Sequence, residues 1–331
     1  MSRIPLVLLT GFLGAGKTTV LNGLLTTPEF SDTAVVINEA GEVGLDHLLM
    51  EQGPAEPVVM LEAGCLCCRA KGALAPALAN LLRRARQGHL PPFERVVVET
   101  SGLADPAAVL EGLIADVAFN RHFAFAGIVT VVDVRAAAAT LKQHAEARMQ
   151  VALADRLLLA KTDLVAADEI ATARQALSAL NPHAAQQVVR PGQASMAAFW
   201  PDSLDLPRAS TTAMIPSAEP TAFATASLAF SGAIAPDALE AWLDHTITLF
   251  GPLLLRMKAL LDVAGASRPT VLHVVQGLLH QPLDLKAWPS GDRQNRIVLI
   301  GRDVEQQMLA DALARLAAVA RRTAMFRTGV N

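Results

Sequence analysis

The residues best equipped for chemistry stand between Thr10 and Thr19, in the stretch TGFLGAGKTT. Gly11, Gly16, Lys17 and Thr18 satisfy the phosphate-loop pattern G-x-x-x-x-G-K-[ST], and Gly14 adds a further flexible joint. In such a loop the backbone N–H groups and the N-terminus of the following helix converge on one anionic centre. The expected nucleotide contacts are therefore Gly11, Phe12, Leu13, Gly14, Ala15, Gly16, Lys17, Thr18 and Thr19. Lys17 would reach the β- and γ-phosphates, and Thr18 would ligate Mg²⁺. A carboxylate closing an apolar strand supplies the second half of a magnesium site, directly or through water, and Glu99 at the end of FERVVVE is placed for that.

The tetrad Lys161-Thr-Asp-Leu164 follows the apolar run RLLLA and addresses the base. Asp163 can accept hydrogen bonds from both the N1–H and the 2-amino group of guanine, whereas adenine has neither donor. A carboxylate left unsatisfied by adenine gives large discrimination in favour of GTP. Lys161 would lie along the base plane.

A second kind of chemistry sits at Cys65, Cys67 and Cys68, which are all three cysteines of the chain. Their crowding offers no long-range disulfide and suits thiolate metal binding, although a cysteine also packs as a small hydrophobe. Three sulfurs leave a tetrahedral ion short of one ligand, an incomplete shell that suits exchange. Between them and the phosphate loop runs an acidic, glycine-containing loop with Glu39, Glu42, Asp46 and His47, able to order around a bound metal ion. Glu39 and Glu42 are candidate additional metal ligands or water-orienting groups, and the sequence does not choose between these roles.

The elements that must position these groups follow from hydrophobic periodicity. Ile4 to Leu9, Ala34 to Asn38, Val58 to Glu62, Phe93 to Glu99, Gly127 to Val134 and Arg156 to Ala160 read as apolar strands, and Gln187 to Arg190 as a candidate final strand. Helical patterns intervene from Val20, over about 70 to 86 with Pro76 dividing the run or marking a later start, from Pro106, and over 167 to 180. Pro191 to Pro220 is rich in Pro, Ser, Thr and Ala and reads as a connection. Beyond it the pattern is β-α-β-β-β-α, with His273 and His280 as isolated histidines, structural or solvent-facing in the usual case and metal ligands in the minority. The expected class is α/β: a P-loop NTPase domain with a mostly parallel sheet flanked by helices, then a smaller α+β domain. The expected bounds are 1–190 for the GTPase domain, 191–222 for the linker and 223–326 for the C-terminal domain.

Of the 331 residues, 52% are hydrophobic but only 4% aromatic, alanine supplying much of the excess. No apolar run is long enough to span a bilayer, and the phosphate loop follows the first six apolar residues too soon for a cleavable signal, so a cytoplasmic protein is expected. A net charge of −3 carries no basic bias of the kind a general nucleic-acid binder needs.

Taken together, GFLGAGKTT, NEAGEVGLD, EAGCLCC, ETSGLADP, VVDV and KTDL, in this order over about residues 4 to 166, resemble the CobW-type family of metal-associated P-loop GTPases. That family includes cobalamin-synthesis accessory proteins, zinc metallochaperones and nitrile hydratase activators. LLLRMKALL, VVQGLLHQP and RIVLIGRDV look like its C-terminal domain. The resemblance implies GTP hydrolysis with Mg²⁺, coupled to delivery of Zn²⁺ or Co²⁺ from the cysteine group to a client metalloprotein or a cobalt-inserting complex, and a GTP-dependent homodimer. Two positions depart from the pattern. Ala40 stands where the family often has phenylalanine. Ala160 replaces the asparagine or serine usual before Lys161, which removes a brace between the base loop and the phosphate loop. An ATP-dependent small-molecule kinase and a non-catalytic zinc-sensing module are the competing expectations, and KTDL argues against the kinase.

Overall fold

The computed structural model describes residues 3–38, 58–60, 74–190, 195–200, 223–288 and 292–328. It divides into two compact units, Met1–Asp205 and Leu206–Asn331.

In the first unit, β1 (Ile4–Thr10), β2 (Thr33–Asn38), β3 (Val58–Met60), β4 (Arg95–Thr100), β5 (Phe123–Asp133), β6 (Arg156–Ala160) and β7 (Ala185–Val188) form one sheet. Its order is β3-β2-β4-β1-β5-β6-β7, and every neighbouring pair is parallel. Parallel strands need crossovers, here α1 (Lys17–Leu25), α2 (Leu74–Arg86), α3 (Pro106–Ile114), α4 (Val117–His122), α5 (Ala137–Gln143), α6 (Ala145–Ala152) and α7 (Ala167–Leu180). With helices on both faces the inner strands must be apolar on both sides, which is why they read as unbroken hydrophobic runs, while the edge strand β7 (AQQV) is half exposed. Strand alternation sorts them. Val7, Leu9, Val131, Leu158 and Ala160 pack with Val20, Leu21 and Leu24 of α1, while Val132, Leu157 and Leu159 pack with residues of α5, α6 and α7.

Several boundaries differ from the sequence reading for identifiable reasons. β5 begins at Phe123, four residues before Gly127, because Gly127 marks a bulge inside the strand and not its start. The register with β1 steps there from Leu6–Phe125 to Val7–Gly127. Pro76 lies in the first turn of α2 as described, where a missing N–H interrupts no helical bond. Asp105 caps α3, its carboxylate accepting from the Ala107 N–H at 2.8 Å with Pro106 in the first helical position. Within the stretch expected as a connection, α8 (Met196–Phe199) is helical, and Phe199 is buried edge-on against Phe30 at a centroid distance of 5.5 Å.

The second unit holds β8 (Phe223–Ser231), α9 (Pro236–Phe250), β9 (Leu254–Leu261), β10 (Thr270–Val275), β11 (Leu278–Leu279), β12 (Leu283–Asp284), β13 (Gln294–Arg302) and α10 (Gln306–Thr328). The sheet runs β11-β10-β9-β13-β8, with β12 also on β10, and its pairs are antiparallel. Met257, Ala259, Leu272, Val274, Ile297 and Leu299 pack against α9 and α10, where the Trp242 indole N–H donates to the Ala312 carbonyl at 2.8 Å. The alternate positions Arg256, Lys258, His273 and Arg296 are each 3% exposed. His280 is buried as well, its backbone N–H donating to the His273 carbonyl. No helix among the described residues is long and apolar enough to cross a membrane.

The turn after α7 shows what fastens the helices to the first sheet. The buried Asn181 amide donates to the carbonyls of Val151, Ala152 and Ala154, and its oxygen accepts from the N–H groups of His183 and Ala184. Asn181→Ala strands several buried backbone groups at once, so it should lower stability of this unit by about 3 kcal/mol in chemical denaturation. Burial pushes the neighbouring His183 imidazole down from 6.5 to about 4. The unfolded chain therefore takes up a proton as pH falls below about 6.5 while the folded one resists until about 4, and stability falls with pH across that window. His183→Gln should flatten that fall.

Candidate nucleotide site

The carboxyl ends of β1, β4, β5 and β6 lie side by side where the winding of the sheet reverses, the place where open α/β sheets hold ligands. The chain after β1 is the phosphate loop. Gly11, Gly14 and Gly16 all adopt positive φ (146°, 71° and 99°), a region open to glycine and strained for L side chains. Gly11 is the most constrained, since a Cβ there would lie 2.4 Å from the Val131 carbonyl oxygen of β5. Gly16 caps α1 with no side-chain acceptor, so an anion is the natural partner for the first-turn N–H groups.

Thr18 and Glu99, 81 residues apart, meet directly: the threonine hydroxyl donates to Glu99 Oε1 at 2.9 Å. Glu99 is only 3% exposed. A hydroxyl and a carboxylate side by side at a helix N-terminus form the hard-oxygen donor set that Mg²⁺ takes. Lys17 Nζ donates to the Gly11 carbonyl at 3.0 Å, folded over the loop it serves. Behind Glu99, the Thr100 hydroxyl donates to that of Thr10. Gly102 approaches so closely that an added Cβ would stand 2.8 Å from the Leu13 nitrogen. Gln150 of α6 holds the same turn, its amide donating to the carbonyls of Gly102 and Ala104, both at 3.1 Å.

On the other flank, Lys161 and Asp163 border a cavity of about 260 Å³ with Gly16, Thr19 and Gly23 of the loop and α1, and with Val189 and Arg190 after β7. Lys161 sits at φ 60°. Its Nζ donates to the Gly14 carbonyl at 2.6 Å and to Asp133 Oδ2 at 2.7 Å. Lys161 thus ties the base loop to the phosphate loop, and the methyl of Ala160 packs in the same buried cluster as Ala15. Burial pushes the Asp133 carboxyl up, but hydrogen bonds from Arg135 and then Lys161 outweigh it and hold the group below the usual carboxylate range. Asp133, Gly23, Val189 and Arg190 had no role in the sequence reading. Only Asp133 carried a signal there, an acid closing an apolar strand as Glu99 does.

The residues brought together are therefore Gly11 to Thr19, Glu99, Lys161 and Asp163. Glu39, Glu42, Asp46, His47, Cys65, Cys67 and Cys68 lie outside the described residues. Among the described residues, no group of three or more His, Cys, Asp or Glu could hold a metal ion.

A phosphate loop, an acid on the adjacent strand and a Lys–Asp base loop define a P-loop nucleotide-binding site. Residues 5–188 match the family model described as the CobW/HypB/UreG nucleotide-binding domain, and residues 223–317 match the cobalamin synthesis protein cobW C-terminal domain. The chain belongs to the CobW/HypB/UreG family. It is 35% identical over 192 residues to the zinc chaperone YjiA of Escherichia coli, spanning 58% of this chain and 59% of that protein. It is 34% identical over 187 residues to the zinc-regulated GTPase metalloprotein activator 1 of Schizosaccharomyces pombe, spanning 55% of this chain and 44% of that one. The chain thus matches about half the length of these relatives. The crystal structure of zinc(II)-bound YjiA GTPase from E. coli superposes with a TM-score of 0.64 over 96% of this chain and 99% of that one at 21% identity, a likeness of fold.

Gly11→Ala should weaken nucleotide binding more than tenfold by calorimetry, since roughly 1.4 kcal/mol of loop displacement suffices. Gly88→Ala is the control. It shares the positive φ but faces open space at the end of α2, so affinity should be unchanged.

Proposed function

We propose that this protein is a GTP-hydrolysing metallochaperone. It binds Zn²⁺, or alternatively Co²⁺, through Cys65, Cys67 and Cys68, with Glu39 or Glu42 as further ligands, and passes the ion to a client metalloprotein or cofactor-synthesis enzyme. The observation that carries the nucleotide half is that Lys161 and Asp163 border the same cavity as Gly16 and Thr19. Base-reading and phosphate-binding groups therefore form one site of nucleoside-triphosphate kind, and Asp163 is the acceptor that guanine satisfies and adenine does not. The names of the relatives, zinc chaperone and zinc-regulated GTPase metalloprotein activator, support the metal half, as does the confinement of every cysteine to one tetrapeptide.

In this reading the loop amides from Phe12 to Thr19 and Lys17 bind the phosphates and stabilise charge that develops on the γ-phosphoryl group as the β–γ bridge breaks. Lys17 must leave the Gly11 carbonyl to do so. Thr18 and Glu99 would hold Mg²⁺, which neutralises phosphate charge when bound. GTP would order the 39–47 loop against the cysteine segment and tighten the metal site, and hydrolysis would loosen it. Linkage makes this reciprocal, metal strengthening GTP binding by the same factor. In this reading residues 1–190 are the GTPase domain, 191–222 the linker and 223–326 the C-terminal domain, and the GTP form pairs with a second copy.

The test is a Co²⁺ titration of the reduced protein with Mg²⁺ and a non-hydrolysable GTP analogue, GDP or the matching ATP analogue, read by thiolate charge-transfer absorption. Binding at least about tenfold tighter with the GTP analogue is expected, within the usual range of allosteric coupling. Cys67→Ser should abolish that gain. Equal binding in all three nucleotide states would overturn the coupling and favour a zinc-sensing module.

A further inference from the structure

We propose that Asp133 is a positioning residue for the base loop, holding Lys161 over Gly14 so that the phosphate loop and Asp163 keep a fixed spacing. The proposal rests on the guanine-nucleotide reading above and adds to it a residue that touches neither phosphate nor base.

The parallel register of β5 and β6 sets Asp133 opposite Ala160, the last residue before the base loop. The carboxylate is thus delivered by the sheet, beside a methyl group that cannot compete for Lys161. One ammonium group then serves two acceptors on different elements, Asp133 Oδ2 at 2.7 Å and the Gly14 carbonyl at 2.6 Å. Three loop ends, after β1, β5 and β6, are tied at a single nitrogen. Lys161 adopts φ 60°, a backbone state that a non-glycine residue keeps only when its surroundings hold it there.

Arg135 completes the arrangement. Its backbone N–H and Nε donate to Asp133 Oδ1 at 3.0 and 3.4 Å, and its Nη2 lies 3.2 Å from Oδ2. The backbone N–H bond, which does not depend on the arginine side chain, fixes the carboxylate rotamer and aims Oδ2 at the lysine. The Arg135 side chain is 47% exposed against 14% for Asp133, so the arginine is the solvent-screened partner and the lysine the sheltered one. Both Asp133 oxygens are engaged by Arg135 and Lys161, so in this proposal its effect passes through Lys161.

The experiment uses the full chain with fluorescent GDP and a non-hydrolysable GTP analogue. Asp133→Asn, nearly isosteric, should weaken both nucleotides about tenfold, and Lys161→Met should do the same. The double variant should bind no more than about twofold worse than the weaker single one, because both changes remove one brace. GTP hydrolysis by Asp133→Asn should show a raised KM with kcat within about twofold of wild type, a split expected of lost uniform binding. Unchanged affinity in Asp133→Asn, additive losses in the double variant, or a loss confined to kcat would each overturn the proposal. Arg135→Ala, which keeps the Asp133–Lys161 pair, guards against a folding defect in the other variants. It should retain affinity within about threefold, and a tenfold loss there would reassign the role to arginine and overturn it too. Equal ATP and GTP affinity in the wild-type chain would defeat the guanine reading. A GTP-selective wild type with an unaffected Asp133→Asn would defeat this inference alone.

Discussion

The missing side chain at Gly11 is the constraint on which the site depends. With the Val131 carbonyl oxygen 2.4 Å from where a Cβ would stand, the loop can cross the end of β5 only as bare backbone. That crossing puts Phe12 to Gly16 over the sheet and starts α1 with its N-terminus at the crevice, where Thr18 finds Glu99. Gly102 repeats the device from the opposite side by bringing the turn after β4 against Leu13. Two backbone contacts with no room for a side chain therefore set the spacing of the phosphate loop from both its neighbours. The side-chain bonds of Thr10, Thr100 and Gln150 then hold that spacing.

The two faces of the first sheet divide the labour. Its α1 face carries Ala15 and Ala160 in one apolar cluster, so the phosphate and base loops share a dry floor as well as the lysine brace. The opposite face, packed by α5, α6 and α7, contributes Gln150, which reaches back to the turn that follows Glu99. Lys17, Thr18 and Glu99 thus stand on a helix start or a strand end and not on an unsupported loop, the placement that holds geometry best.

How much of this was legible beforehand follows from range along the chain. The inner apolar strands, the helix over 167–180 and the phosphate loop are local patterns and fall close to where periodicity puts them, whereas the half-exposed edge strand β7 lies at Ala185–Val188, two residues before the expected Gln187–Arg190. The strand start misplaced at Gly127 shows the limit, because a glycine in an apolar run marks a strand end or a bulge, and only pairing with Leu6 and Val7 decides. Likewise nothing local in MAAF announces a helix docked on Phe30. The part played by Asp133 needs the register of two strands joined through α5 and α6, information that no motif contains. The tie between the base and phosphate loops has the same limit: the side chain lost at Ala160 is visible in sequence, but the contact of Lys161 with Gly14 is visible only in space.

The tie between Lys161 and Gly14 also bears on time. A nucleotide spanning both loops is held by two ends whose mounts are fastened together, so either end, once released, remains at high local concentration beside its site and rebinds before the other lets go. Departure then requires both loops to part at once, which lengthens residence without any added contact to the ligand.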